Sequence, residues 1–179
     1  MESVRITAAL SIFVFVTGPA SARGILGQPA PSWGVTDWKN LPADKKQLDL
    51  KDLKGKVVYL YCFQSWCPGC HKYGFPTLKK AINKFKGKDD VSFVAVQTVF
   101  EGASVNTPAR AWSTAKRYDL KIPVGHSGDE RTSPPLMRNY RTGGTPWTII
   151  IDRKGKVRYN DFHIEPAAAF KLIEGLLKE

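Results

Sequence analysis

The sequence has few cysteines and lacks a long apolar run. Three cysteines among 179 residues are too few for a small fold held together by several disulfides. No run of about 18 apolar residues occurs, which argues against a conventional membrane-spanning helix. Hydrophobic residues still make up 42% of the chain, enough for a packed core, so a largely disordered chain is excluded. The length fits one compact domain.

Acidic residues are scarce relative to basic ones. Lysine and arginine number 27 against 16 aspartates and glutamates, which gives a formal net charge of +11. Several lysines lie on and after the first predicted helix, where a solvated helix face is the ordinary interpretation. Attraction to acidic substrates or to an anionic membrane surface is the alternative. No nucleic-acid-binding motif is recognisable, so we expect no nucleic-acid partner.

Residues 1–22 have the pattern of a secretory signal peptide. Arg5 supplies a positive charge, residues 6–17 form the apolar stretch, and the Ala-Ser-Ala segment 20–22 provides the small residues that a signal peptidase needs. We expect cleavage after Ala22 and a mature protein in the periplasm or another extracytoplasmic compartment, where disulfide chemistry is permitted. An uncleaved anchor is the alternative.

The rest of the chain predicts a short lead-in followed by one α/β domain. Residues 23–45 are rich in Gly, Pro and polar residues and are expected to be irregular, and residues 46–179 are expected to form the domain. The predicted strands cover residues 57–63, 91–96, 121–124, 147–152 and 157–159, and the predicted helices run from after Trp66 to Gly87 and over 108–118, 133–140 and 166–177. This order gives an α/β fold with a mixed central sheet flanked by helices.

The most informative segment is Cys67-Pro68-Gly69-Cys70, at the point where a buried strand passes into a helix. Two cysteines three apart in a first helical turn share a face, with their Cα atoms about 5–6 Å apart, which suits a disulfide. The free N–H groups at the helix start favour the thiolate of Cys67, while Cys70 lies one turn further in and is more shielded. We therefore expect Cys67 to be the nucleophile and Cys70 to resolve the mixed disulfide. The third cysteine, Cys62, lies within the apolar strand and is expected to be a small buried hydrophobe.

The tryptophan and two cysteines that follow this strand resemble the active-site motif of the thioredoxin superfamily. The fuller pattern resembles extracytoplasmic thiol–disulfide oxidoreductases of the TlpA-like or redoxin type, because segments 52–58, 140–146 and 152–157 match it in the right order. The resemblance covers residues 46–178 and implies a thioredoxin-like three-layer fold. It also implies an enzyme that exchanges disulfides with protein dithiol or disulfide substrates.

By this resemblance the redox centre is the pair Cys67 and Cys70 itself, and no metal or organic cofactor is needed. Electrons pass between this pair and another dithiol protein, of which a membrane-borne thiol donor is one candidate. Reduction of substrates is the favoured direction. Oxidation and isomerisation stay open, because reduction potentials in this fold differ by about 150 mV.

The resemblance also assigns residues around the cysteines. Thr145 and Pro146 correspond to the cis-proline loop that faces the pair and hydrogen-bonds an extended substrate strand. Trp66, directly before Cys67, is expected to shield the face of the disulfide, with a pure packing role as the alternative.

Three positions depart from the family pattern. Tyr61 stands where thioredoxins carry a buried acid, and Tyr73 stands where some TlpA-like reductases carry a glutamate. Pro76 follows Cys70 by six residues instead of five, which predicts a bulge in the helix. The proton acceptor for Cys70 is therefore unassigned. Glu101, at the sheet edge where the cysteines lie, is the candidate, and a solvated loop carboxylate is the alternative.

The same segment also satisfies the C-x-x-C-H pattern of c-type haem attachment. Haem would take His71 as an axial ligand, with Met137 or another histidine as the second. Such attachment sites normally lie in mostly helical small domains, whereas this motif follows a strand in an α/β pattern, so a haem protein is less favoured.

Copper handling and peroxide turnover are two further alternatives. A copper site would use the two cysteines as soft ligands, with His126 or His163 completing it. Family resemblance disfavours this, because copper-handling members use a longer cysteine spacing. A thiol peroxidase would carry Thr or Ser three residues before its reactive cysteine, and this chain has Gln64 there. Thiol–disulfide exchange is therefore the main prediction.

Overall fold

The structure, a computed structural model, describes residues 25–129 and 131–179. The predicted signal peptide, residues 1–22, and its cleavage site after Ala22 lie outside the described residues. Within the described ranges, no helix has the length and apolar character needed to cross a membrane.

A mixed sheet, six-stranded over the described residues, forms the centre of the fold. Its strands are β1 (Asp37–Lys39), β2 (Val57–Phe63), β3 (Val91–Thr98), β4 (Val124–Ser127), β5 (Trp147–Ile151) and β6 (Val157–Asp161). Their order in space is β1-β4-β3-β2-β5-β6. The central strands β2, β3 and β4 are parallel, whereas β1 pairs antiparallel with β4, β5 with β2 and β6 with β5. The mixed sheet that the sequence predicts is confirmed.

In the part of the chain that the structure describes, four helices cover the two faces of the sheet. They are α1 (Phe75–Lys84), α2 (Pro108–Arg117), α3 (Pro135–Tyr140) and α4 (Pro166–Leu176). Buried residues of α1, α2 and α4 pack in one core cluster with Tyr59 and Tyr61 of β2. Residues of α3 and of the lead-in pack in a second cluster with Leu60 and Cys62. All seven residues of β2 are buried. Since each large apolar side chain buried contributes roughly 1.5–3 kcal/mol, β2 anchors both outer layers.

Two strands at one side of the sheet differ from expectation. The strand predicted over 121–124 begins three residues later, as β4, and the lead-in that was expected to be irregular contributes β1. Both form by pairing, because β4 adds to β3 and β1 then adds to β4. A Cβ on Gly125 would lie 2.8 Å from Val35 and 3.1 Å from Trp38, so glycine in β4 allows the lead-in to pack closely.

The lead-in is also tied to the β5–β6 hairpin. Gly27 donates its N–H to the carbonyl of Val157, and Ala30 donates to the carbonyl of Gly155, both at 2.8 Å. Because β5 is antiparallel to β2, this hairpin lies beside the start of β2. It is therefore at the end of the sheet opposite to the point where β2 leads into the cysteine motif.

Asp152 fixes the turn of this hairpin. Its Oδ1 accepts the backbone N–H groups of Lys154 and Lys156, each at 2.9 Å, and its Oδ2 accepts from Arg158 Nη1 at 3.1 Å. Burial acts to raise the pKa of the Asp152 carboxyl. The hydrogen bonds and the nearby guanidinium outweigh burial and hold that pKa below its usual value.

We expect Asp152→Asn to lower the free energy of unfolding at pH 7 by about 1–3 kcal/mol, because a neutral amide replaces a charged acceptor. A carboxyl whose pKa is depressed by folding stabilises the protein above its unfolded pKa and loses that effect as the pH falls through its folded pKa. The difference from wild type should therefore shrink from about pH 4 downward. Urea unfolding at pH 7 and at low pH measures it, and a constant difference would contradict this role for Asp152.

Candidate functional site

The two cysteines of the motif lie at the carboxyl end of the parallel strands, directly after β2. Their Cα atoms are 5.3 Å apart and their Sγ atoms are in contact, as in a disulfide. This separation agrees with the one expected from the spacing of Cys67 and Cys70. Cys67 is 6% exposed and Cys70 is fully buried, so Cys67 is the one of the pair that reaches the protein surface.

The backbone around Cys67 favours negative charge on its sulfur. The N–H of Cys70 donates to the Sγ of Cys67, with an N to S distance of 3.1 Å. Cys67 also precedes the first helical turn, where N–H groups lack partners within the helix. Both features stabilise a thiolate at Cys67. Cys70 lies inside the apolar cluster beneath α1.

The helix that follows the motif opens with a π turn. The turn covers Cys70–Gly74, and the N–H of Phe75 bonds to the carbonyl of Cys70, five residues earlier. The hydroxyl of Tyr61 donates to the same carbonyl at 3.4 Å. The helix bulge that the late position of Pro76 predicts is therefore confirmed.

Gly74 makes room for Tyr61 inside this turn. A Cβ at Gly74 would overlap the hydroxyl oxygen of Tyr61 and lie 2.6 Å from its Cζ. The ring of Tyr61 is fully buried and meets the ring of Phe75 edge-on, with 5.2 Å between centroids. Burial raises the pKa of the Tyr61 hydroxyl well above its usual value. The position where thioredoxins carry a buried acid therefore holds a neutral hydrogen-bond donor.

The segment Thr145–Pro146 faces the motif from the other side. The peptide bond between the two residues is cis. Pro146 lies against Gly69, since a Cβ on that glycine would be 3.2 Å from Pro146 Cδ. Both Thr145 and Pro146 are partly exposed. This is the placement that the resemblance implies, and their part in binding a substrate stays a prediction.

The chain with this arrangement, a cysteine pair after a buried strand opposite a cis-proline, is similar in sequence to known proteins. A family model described as Redoxin matches residues 26–175. This chain belongs to the redoxin family. The thiol-disulfide oxidoreductase ResA of Bacillus cereus is 33% identical over 132 residues, which cover 74% of this redoxin and 66% of that relative. The chain thus spans just under two thirds of that relative's length.

Solved structures agree with the family assignment. A thioredoxin-like superfamily protein superposes with a TM-score of 0.77 at 33% identity, covering 84% of this redoxin and 97% of that chain. A thiol-disulfide isomerase from Corynebacterium glutamicum gives 0.72 at 32% identity, with coverages of 84% and 97%. The thioredoxin-like α/β fold implied by the sequence is confirmed.

A polar network fastens the turn before Cys67 in this redoxin. The N–H of Ser65 donates to Asn106 Oδ1 at 2.8 Å, and its hydroxyl donates to Gln97 Oε1. The hydroxyl of Thr114 in turn donates to Ser65 Oγ at 3.1 Å. The sequence does not indicate this network, because its members come from the turn after β2, from β3, from the loop before α2 and from α2, and share no local pattern. It fixes the position of the nucleophile's turn relative to α2.

Gln64 links the cis-proline loop to the loop after β3. Its Oε1 accepts from the Thr145 hydroxyl at 3.4 Å, and its Nε2 donates to the carbonyl of Glu101 at 3.0 Å. Glu101 lies at the sheet edge as expected, but it is exposed and this contact uses its main chain. Its role as the proton acceptor for Cys70 stays a prediction.

His71 and Trp66 flank the cysteines. Trp66 is 47% exposed, so it offers an apolar surface beside the disulfide. The ring of His71 lies between two polar partners, with Nδ1 2.8 Å from Tyr118 Oη and Nε2 2.8 Å from the carbonyl of Ser65. A carbonyl only accepts, so Nε2 carries the hydrogen and Nδ1 of the neutral ring accepts from Tyr118. Both nitrogens of His71 are therefore in use.

The other residues considered as metal or haem ligands have partners of their own. His126 Nδ1 lies 3.0 Å from Gln97 Nε2, and His163 Nε2 lies 3.4 Å from a carboxylate oxygen of Glu165. Met137 is buried on α3. Across residues 25–129 and 131–179, no group of three or more His, Cys, Asp or Glu side chains could hold a metal ion.

Cys62 is a fully buried residue of β2, as expected, and burial raises the pKa of its thiol.

We expect the folded oxidised protein to contain no thiol that reacts rapidly with a disulfide-based chromogenic reagent, because Cys67 and Cys70 are paired and Cys62 is buried. The folded reduced protein should release two equivalents, because Cys70 displaces the reagent from Cys67. The unfolded oxidised protein should release one. A fast thiol in the folded oxidised protein would contradict the pairing or the burial of Cys62.

Proposed function

We propose that this redoxin is a thiol–disulfide oxidoreductase that exchanges disulfides with protein substrates through Cys67 and Cys70. The observation that carries the proposal is the pair itself, with two sulfurs in contact and with Cys67, unlike Cys70, partly open to solvent. The partly exposed Thr145 and Pro146 beside it support binding of an extended substrate strand. The name of the ResA relative supports the same activity.

The exchange proceeds in two balanced steps. In the reducing direction, the Cys67 thiolate attacks one sulfur of a substrate disulfide, which forms a mixed disulfide and releases one substrate thiolate. Cys70 then gives up its proton and attacks the Cys67 sulfur, which releases the second substrate thiolate and closes the Cys67–Cys70 disulfide. Two electrons pass to the substrate, and its two thiolates take up protons. A second dithiol protein reverses these steps to reduce the pair again.

Reduction of the substrate is the direction that we propose, with a membrane-borne thiol protein as the electron donor. The reduction potential of the cysteine pair tests the direction. Equilibration with glutathione buffers, followed by alkylation and mass measurement, gives its value. A potential near about −270 mV, as in thioredoxin, supports a reductase, and one near about −120 mV contradicts it.

The proposed location is extracytoplasmic, and the signal-like pattern of residues 1–22 supports it. A cell fractionation experiment on the full chain tests this proposal. We expect the protein in the periplasmic or extracellular fraction, shortened by residues 1–22. Recovery of the unprocessed chain from the cytoplasm would contradict it.

The proposed chemistry uses no metal or organic cofactor, because the redox-active group is the disulfide. The engagement of both ring nitrogens of His71 supports this, since ligation of haem iron would break one of two hydrogen bonds. The absorption spectrum of the purified protein is expected to lack a Soret band. Covalently attached porphyrin at the motif would contradict the proposal.

One stoichiometric experiment tests the activity. The reduced protein is mixed with a small protein that contains one accessible disulfide, and free thiols are counted on both after acid quenching. We expect one substrate disulfide to be reduced per chain, while the chain loses two thiols. No transfer of thiols would contradict the proposed function.

A further inference from the structure

A cleft with a volume of about 400 Å³ lies beside the cysteine motif, between α2 and the turn that precedes Cys67. We call it the cationic cleft. The lining residues that bear on its chemistry are Ser65, Trp66, Val105, Arg110, Ser113 and Arg117. None of the steps of disulfide exchange described above uses its charged residues.

The charge of the cationic cleft comes from two arginines. Arg110 and Arg117 are exposed and seven residues apart on α2, so they lie on the same face of the helix, with Ser113 between them. The lining contains no aspartate or glutamate. In the described part of the chain, no ion pair involves either arginine, whereas Arg158 binds two carboxylates. The guanidinium of Arg117 lies over the ring of Tyr118, 6.0 Å from its centroid, a contact that forms no hydrogen bond. Both guanidinium groups can therefore still bind an anion.

The wall of the cleft is held in place relative to the sulfurs. The hydroxyl of Thr114, on α2, donates to the hydroxyl oxygen of Ser65, and the ring of His71 bonds to the carbonyl of Ser65. Ser65 lies two residues before Cys67. Helix α2, which carries both arginines, is thus fixed relative to the turn before Cys67 before any ligand arrives, so binding does not have to order this helix.

The rim of the cleft is apolar on the side of the motif. Trp66 and Val105 both line it and are each 47% exposed. A small inorganic anion would gain nothing from this surface. A polypeptide that carries a carboxylate would bury neighbouring apolar groups there while its charge reached the arginines.

We propose that the cationic cleft binds an aspartate or glutamate side chain of the polypeptide substrate, close in sequence to the cysteine that Cys67 attacks. The inference rests on the proposed function and adds a preference among substrates. Arg110 and Arg117 bind the carboxylate, and Trp66 and Val105 contact the residues next to it. The site therefore selects acidic segments around the reacting disulfide.

The test compares two synthetic peptides that each contain one disulfide. They are identical except that the positions two and three residues from each cysteine are glutamate in one and glutamine in the other. Second-order rate constants for exchange with the reduced full chain are measured at low and at high ionic strength. We expect the glutamate peptide to react about tenfold faster at low ionic strength, and the ratio to fall to about twofold in about 1 M salt.

Two double variants with the same loss of charge identify the source of the preference. Arg110→Gln with Arg117→Gln should reduce the rate ratio to about two or less. Lys86→Gln with Lys88→Gln removes two exposed lysines between α1 and β3 and should keep the ratio near about ten. These lysines precede Val91, which pairs with the start of β2, so they lie at the end of the sheet opposite to the motif.

Three results would overturn the inference. Equal rates for the two peptides with the wild-type chain would remove the preference. An equal fall in the ratio for both double variants would assign it to net charge. A preference confined to a small carboxylate disulfide, such as that of thioglycolate compared with its amide, would assign the cleft to small acids. Exchange with neither peptide would instead contradict the proposed function, and this inference would fail with it.

Discussion

Replacement of Cys67 by serine should abolish disulfide exchange, whereas replacement of Cys70 by serine should leave a protein that accumulates as mixed disulfides with its substrates. We expect Cys67→Ser to lower the exchange rate by about three orders of magnitude or more, because the accessible nucleophilic sulfur is lost. Cys70→Ser retains that sulfur but cannot resolve the mixed disulfide. Non-reducing gels and mass spectrometry after incubation with a disulfide-containing protein measure both effects.

Cys62 provides the matched control. It is a cysteine of the same chain, fully buried on β2 and outside the pair. Cys62→Ala should keep the exchange rate of the wild type and cost about 1 kcal/mol of stability for the small cavity it leaves. Full activity in Cys67→Ser would show that the roles are wrongly assigned. Mixed disulfides that accumulate in Cys67→Ser but not in Cys70→Ser would show that the roles are exchanged.

Replacement of Gly74 by alanine should lower the free energy of unfolding by about 2–4 kcal/mol. The added methyl group would overlap the hydroxyl oxygen of Tyr61, and neither the buried ring nor the helix backbone has space to move without disturbing the core. Urea unfolding of the oxidised protein measures the loss. The same substitution moves the carbonyl of Cys70, so the exchange rate should fall as well.

Gly175 in α4 is the control for this substitution. A Cβ at Gly175 meets no atom within 4 Å, so alanine there adds no overlap. Because alanine has a higher helix propensity than glycine, Gly175→Ala should leave stability unchanged or raise it by up to about 1 kcal/mol. If Gly74→Ala unfolds at the same urea concentration as Gly175→Ala, Tyr61 does not occupy the space inside the π turn.

The π turn shows how much of the site the sequence can predict. The spacing between Cys70 and Pro76 indicates an extra residue in the helix, and the structure has the bulge there. The local sequence does not indicate what packs against the bulge. The structure places the hydroxyl of Tyr61 against Gly74, and these two residues are thirteen positions apart and belong to different elements.

The side of the sheet formed by β1 and β4, in contrast, is a part of the fold that the local sequence does not predict correctly. Gly125 has low strand propensity, so the local pattern predicts a strand that ends at Val124, before this glycine. Pairing with β3 on one side and β1 on the other makes this segment a strand. For a similar reason, the sequence does not indicate the cationic cleft. The two arginines of α2 line a cleft beside the motif only because α2 packs against the turn before Cys67, where Thr114 bonds to Ser65.

The bonds between the lead-in and the β5–β6 hairpin determine the orientation of a molecule that is held by its N-terminal side. Residues 27–30 are fastened at the end of the sheet remote from Cys67. A linker or fusion partner joined upstream of them would leave the domain from that end. When such a linker is immobilised on a bead or an electrode, the reactive sulfur faces the bulk solution, where large partners can reach it without steric hindrance from the support.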